Sequence, residues 1–207
     1  MKAIALSLLL IGSGIMLYPT ISDYYGANQQ KQLLDSFKAH AQNDQENVKR
    51  EYSQLNRTFN GQTSNEIQDV TTSSAIGIIE IDKIDLQVPI VEGVTQSDLK
   101  FAAGYMPGTS KIGEQGNAAI AAHRSFTYGE LFNRLDELGP DDHISISLPS
   151  KDLTYKVTDK FLVKPEDLSV LAPEQNESVI TLITCHPMKN PTHRLIVKAV
   201  LDKQQNS

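Results

Sequence analysis

From residue 75 onward the chain is built of short apolar runs separated by polar turns. Ile144, Ile146 and Leu148 alternate with Ser145 and Ser147, and Leu153, Tyr155 and Val157 alternate with Thr154 and Lys156. That period of two marks half-buried strands. The runs 76–81, 86–91, 117–122, 161–163, 179–184 and 195–201 are rich in β-branched or small apolar residues and read as further strands. Eight short strands at this spacing predict an all-β barrel or sandwich. One stretch breaks the pattern: Leu131, Leu135 and Leu138 recur at helical spacing and predict a short helix over 128–138.

The N-terminal third differs. Residues 3–22 carry no charge, and about 20 apolar residues are what a helix needs to cross a bilayer core. Tyr18, Tyr24 and Tyr25 fall where an interfacial aromatic belt would sit. The end of the run has no small-x-small cleavage pattern, so 3–22 is expected to be a retained transmembrane anchor rather than a removed signal peptide. With only Lys2 ahead of it, the expected topology is single-pass, with the remainder extracytoplasmic at the cell membrane. Residues 23–73 are rich in Gln, Asn, Ser and Thr. Leu33, Leu34, Phe37 and Ala41, then Val48, Tyr52, Leu55 and Phe59, recur at helical spacing there. This segment is expected to be a polar helical spacer, in preference to a helix that packs on the domain and modulates access to its site. The catalytic domain is expected over 74–203.

Charge and cysteine content narrow the chemistry. The formal net charge is −6, which lacks the basic footprint of a nucleic-acid binder. Cys185 is the single cysteine and cannot close an internal disulfide, so its chemistry is that of a free thiol. It ends the run from Val179, and Arg194 lies nine positions later on the next strand. If the two strands pair across a loop at 186–191, Cys185 faces Thr192 and Ile183 faces Arg194. Cys185 and Arg194 would then share a face as diagonal neighbours. A thiolate that attacks a carbonyl beside a guanidinium that stabilises the oxyanion suits acyl transfer. That chemistry needs a histidine for proton transfer. His40 lies in the spacer, His143 opens an exposed strand, and His186 and His193 flank the Cys185 loop pointing away from it. His123 ends a strand beside a loop and is the best candidate, although spacing alone leaves an ordinary surface or core histidine ahead. Zinc is disfavoured, because Cys185, His186 and His193 supply three ligands where a structural site wants four.

Thr181-Leu182-Ile183-Thr184-Cys185, with Arg194 downstream and His123 upstream, resembles the signature of the sortase family. The segments 78–84, 89–93, 113–124 and 163–171 resemble that family's opening strands, histidine segment and later loop, so the resemblance covers most of 75–201. It implies an eight-stranded sortase-type β-barrel with one or two short helices. It also implies a thiol-peptidase-type cysteine transpeptidase that cuts an LPxT-type sorting motif after its Thr and passes the acyl group to an amine of the cell-wall precursor. Its partners would be secreted proteins with a C-terminal sorting signal. By position, Cys185 is the implied nucleophile, His123 the general acid/base and Arg194 the oxyanion stabiliser. Thr184 is implied as a donor beside Cys185, Ala103, Gly104 and Leu182 as borders of the substrate groove, and the loop 164–176 as its wall.

Some sortases bind calcium through acidic loop residues, and Glu114 and Glu174 are the residues such a site would use here. Carboxylates in loops are more often solvated, so no metal or cofactor is expected. Where family members carry Gly-Asp, this chain has Gly139, Pro140, Asp141 and Asp142, read as a turn variant. An N-terminal anchor without a C-terminal span fits a class A (LPxTG) or class D (LPxTA-like) enzyme, and the contexts of His123 and Cys185 lean toward class D. Two rival readings share the residues: an exported cysteine peptidase that hydrolyses its substrate, and a non-catalytic wall-binding domain.

Overall fold

The computed structural model describes residues 48–60, 74–124 and 130–202, with side chains from Glu51 onward. The expected membrane anchor at 3–22 and most of the expected spacer lie outside these residues. Among the described residues no helix is long and apolar enough to cross a membrane.

Among the described residues there are one α-helix and eight strands: α1 (Val48–Phe59), β1 (Ala75–Ile81), β2 (Leu86–Glu92), β3 (Ala103–Tyr105), β4 (Gly116–Ala121), β5 (His143–Leu148), β6 (Lys151–Val163), β7 (Ser178–His186) and β8 (His193–Leu201). The strands close into a barrel in the order β1-β2-β3-β4-β7-β8-β6-β5, which confirms the all-β barrel expectation. Closure leaves no unpaired sheet edge. Most neighbours are antiparallel, but β2 with β3 and β4 with β7 run parallel.

Side chains alternate across each strand, so the barrel has an inner and an outer set. The inner set packs Ile79, Ile81, Val88, Ile90, Ala118, Ile120, Ile144, Ile146, Ile180, Leu182, Leu195 and Val197 into one core. Ala119 and Ala121 of β4, Ile183 and Cys185 of β7 and Ile196 of β8 point outward into a second apolar layer. That layer is roofed by Tyr52, Leu55 and Phe59 of α1 and by Val170 and Leu171 of a 3-10 turn at Leu168–Leu171. Tyr52, Leu55 and Phe59 fall at i, i+3 and i+7, one helical stripe. Glu51 in the first turn and Arg57 in the last complement the helix dipole.

Three local expectations are corrected. The runs 153–157 and 161–163 are parts of one thirteen-residue strand, β6, interrupted by a register shift between Val157 and Asp159. The eighth strand is instead β3, whose three residues are too few for a periodic signal. The helix expected over 128–138 is absent from its described part. Leu131 sits at φ 46, and Leu135–Glu137 form a 3-10 turn. Leu131, Leu135 and Leu138 are nonetheless buried in the inner core, so burial and not helix formation set their spacing.

Candidate active site

The strand that leads into His123 and the strand that carries Cys185 are neighbours in the barrel. β4 and β7 pair in parallel, from Gly116 with Ser178 to Ala121 with Ile183. Ala122 N donates to Ile183 O at 3.2 Å and Thr184 Oγ1 donates to Ala122 O at 2.8 Å, carrying the pairing one residue further. The same register sets His123 beside Cys185, both on the outer face. Parallel neighbours lie about 4.8 Å apart.

β8 supplies the cation from the other side of β7. Cys185 is paired directly with Arg194, and His186 with His193. The sequence-based register set Cys185 opposite Thr192. The connecting loop is 187–192, one residue later than expected, because His186 still belongs to the ladder and Thr192 N donates back to His186 O at 3.0 Å. Moving the loop by one moves the register by two, so Cys185 and Arg194 keep their shared face but are direct rather than diagonal partners. Arg194 Nη1 lies 4.0 Å from Cys185 Sγ.

The arrangement is covered. Arg194 is 0% exposed and Cys185 7%. The helix α1 does the covering: Asn56 Oδ1 accepts from Arg194 Nη2 at 3.0 Å and from Nε at 3.3 Å. The Phe59 ring centre lies 5.1 Å from the Arg194 guanidinium carbon and 5.5 Å from the His123 ring centre. The remaining Arg194 contact is Nη1 to His193 O at 3.3 Å. Neutral acceptors and an aromatic face thus hold the buried cation. Asn56 Nδ2 donates to Pro165 O at 2.7 Å, Tyr52 Oη to Asp167 O at 3.3 Å, and Thr58 Oγ1 to Val94 O at 3.1 Å. These bonds fasten α1 to the loop that begins at Lys164 and to the loop after β2. Residues 48–60 are therefore a roof over the site, not a spacer held off the domain.

Burial sets the acid–base character. It pushes the Cys185 thiol up, with the positive charges of Arg194 and Arg124 opposing that rise, and it pulls the His123 imidazole down. Burial also pushes the Tyr52 phenol up to about 12, which keeps it neutral beside Arg194.

The expected groove residues divide. Thr184 adjoins Cys185, but its hydroxyl is spent on Ala122 O and points away from the thiol's face. The structure does not bring Ala103 and Leu182 to the site: both are 0% exposed in the inner core. Gly104 lies on the outer face, where a Cβ would stand 2.2 Å from Gly93 O and 2.6 Å from Leu99 Cδ2. Glu174, considered above for calcium, faces Lys198 with Oε1 3.3 Å from Nζ. Among the described residues no group of three or more His, Cys, Asp or Glu side chains converges as a metal site.

The family model described as "Sortase domain" matches residues 79–202, more than half of the chain. The chain belongs to the sortase family. Among curated proteins, this sortase is 30% identical over 116 residues to "Sortase D" of Bacillus subtilis, covering 56% of this chain and 57% of that protein. It is 32% identical over 132 residues to "Sortase A" of Streptococcus agalactiae, covering 62% and 53%. The matched region thus spans little more than half the length of these two relatives. A solved Clostridium perfringens Sortase D5 transpeptidase superposes with TM-score 0.60 at 26% identity, covering 85% of this chain and 97% of that one.

Sequence reasoning singled out Cys185, His123 and Arg194, and the structure brings their strands together. It missed Asn56 as a partner of Arg194. The stripe of Tyr52, Leu55 and Phe59 was legible as a helix, but its docking place was not. It also set His186 aside, whose ring is bound to Arg124.

Proposed function

We propose that this sortase is a cysteine transpeptidase that cleaves an LPxT-type sorting motif after its Thr and transfers the acyl group to a cell-wall precursor amine. The observation that carries the reading is the direct pairing of Cys185 with Arg194, on the strand next to the one that leads into His123.

In this reading the Cys185 thiolate attacks the Thr carbonyl carbon. The carbonyl electrons move onto oxygen, and Arg194 stabilises that oxyanion at the moment it forms. The C–N bond then breaks, and His123 protonates the departing amine. A thioester on Cys185 remains. An incoming amine attacks it, His123 takes the proton, and the thiolate leaves. Arg194 suits its part because it is always charged and presents a rigid fork of donors. Its Nε and Nη2 now face Asn56 Oδ1, so a substrate reaches it after α1 has moved aside.

The clients are proposed to be secreted proteins with a C-terminal LPxTG or LPxTA-like signal. The protein is proposed to be held by 3–22 as a single-pass anchor at the cell membrane, with the barrel outside. No cofactor is proposed. The test incubates the full-length chain in detergent with LPxTG and LPxTA peptides and an amine, with Cys185→Ala as control. An amine-linked product that depends on Cys185 supports transpeptidation, and the preferred peptide assigns the class. Cleavage without amine capture makes the protein a hydrolase instead. Binding of either peptide without any Cys185-dependent product points to the wall-binding reading.

A further inference from the structure

The residues that follow the nucleophile and the general acid/base form a second pair. Arg124 follows His123 and His186 follows Cys185, so the β4–β7 register that sets His123 beside Cys185 also sets Arg124 beside His186. Alternation sends this second pair to the opposite side of the two strand ends. The side chains meet: Arg124 Nη1 lies 2.9 Å from His186 Nδ1.

Its surroundings make the contact specific. Arg124 Nη2 pairs with Asp136 Oδ1 at 2.7 Å, and Nε donates to Asn133 O at 3.2 Å. The Arg124 side chain is only 7% exposed. A guanidinium has donors and no acceptor, so His186 can meet it only with Nδ1 unprotonated and its proton on Nε2. The His123 carbonyl is itself held, accepting from Phe132 N at 3.1 Å. Arg124 thus ties the end of β7 to the turn at 130–137, which also anchors the backbone of His123. The regular β4–β7 pairing ends at Ala121 and Ile183, two residues before the chemistry begins.

We propose that Arg124 and His186 are positioning residues: their contact, braced by Asp136 and Asn133, locks the β4 and β7 ends so that His123 and Cys185 keep their side-by-side geometry. The inference rests on the proton-transfer roles given above to His123 and Cys185. Arg124 and His186 leave the strand ends on the side opposite Cys185, so they are assigned no contact with the reacting carbonyl. Arg124 also adds positive charge near the thiol, which opposes the effect of burial on it.

The test uses the full-length chain with H186A, H186N and R124K. His186 is half-exposed and its substitution leaves the core intact. Misplacement of reacting groups by about 1 Å can cost roughly 100-fold in rate. H186A is expected to lower kcat by about that factor with KM nearly unchanged. Asn presents a carbonyl oxygen near the place of Nδ1, so H186N restores most of the loss. R124K does not restore function, because one ammonium cannot serve His186, Asp136 and Asn133 together. In parallel, the rate of iodoacetamide alkylation of Cys185 is followed against pH. Its midpoint is expected to rise in H186A and R124K and to stay near wild type in H186N.

Alkylation needs no sorting peptide. An upward midpoint in H186A that H186N reverses supports the lock even if wild type turns over neither peptide, a result that would remove only the sorting-motif reading. Wild-type kcat and an unmoved midpoint in H186A overturn the proposal. So does an H186N as impaired as H186A, or a fall in melting temperature shared by both variants that accounts for the whole loss.

Discussion

Asn56 Oδ1 accepts two hydrogen bonds from Arg194, one from Nη2 and one from Nε, on a residue pair 138 positions apart in sequence. A side-chain amide oxygen thus sits on the donors assigned to a substrate carbonyl. The two cannot occupy those donors together.

Asn56→Ala is therefore expected to ease the release of α1. A hydrogen bond to a charged group contributes about 1.5–3 kcal/mol. Even 1–2 kcal/mol corresponds to roughly a 5- to 30-fold change in the population of the open form. We expect kcat/KM for a sorting peptide to rise by about that factor. A fall instead would mean that Asn56 orients Arg194 in the active form.

The pH–rate profile follows from the directions of the two shifts. His123 is displaced below the ordinary imidazole range and Cys185 above the ordinary thiol range, both chiefly by burial. Between those two values thiol and imidazole are both neutral, and the thiolate–imidazolium form is a minor one with the same proton count. The active fraction falls as pH drops through the lower value and as it climbs through the upper one, which gives a bell. Deleting α1 exposes both groups to water, so its limbs should draw together. A flat profile, or limbs that do not move on deletion, would contradict this division of labour.

Arg194→Ala is expected to lower kcat by roughly 100- to 1000-fold, the range for loss of an oxyanion donor. Arg194→Lys should recover little of this, since a point charge replaces a planar fork. Steady-state kinetics on both variants decide it, and near-normal turnover in Arg194→Ala removes the role.

Gly104→Ala tests packing rather than chemistry. The new methyl would meet the Gly93 carbonyl and the Leu99 side chain well inside contact distance. Overpacking of this kind typically destabilises by about 1–3 kcal/mol. A lower denaturation midpoint is expected, and unchanged stability would show that β3 can shift away from β2 without loss.

Much of this was legible in the chain. Alternation at 144–148 and 153–157 located strands because the barrel is apolar inside, and period-two patterns record which face is buried. Cys185 and Arg194 were assigned to one face correctly even though the register was off by two, since a slip of two preserves the face. β3 was not legible because three residues carry no period. Leu131, Leu135 and Leu138 imitated a helix because irregular turns can also deliver leucines to a core. The partner of Arg194 was hidden for another reason. Asn56 lies beyond a stretch whose residues 61–73 give no pattern, and nothing in local sequence says onto which face of a distant barrel a helical stripe will close.

The pairing of β4 with β7 has a consequence for the nascent chain. Its first and last partners are each 62 residues apart, and it brings His123 to Cys185 only when that long connection has closed. Until then the polypeptide carries an ordinary thiol, an ordinary imidazole and an ordinary guanidinium, none with a neighbour to sharpen it. In the proposed mechanism the grouping of Cys185, His123 and Arg194 is thus a property of the closed barrel and not of the ribbon, and the newly made chain lacks it before it has folded.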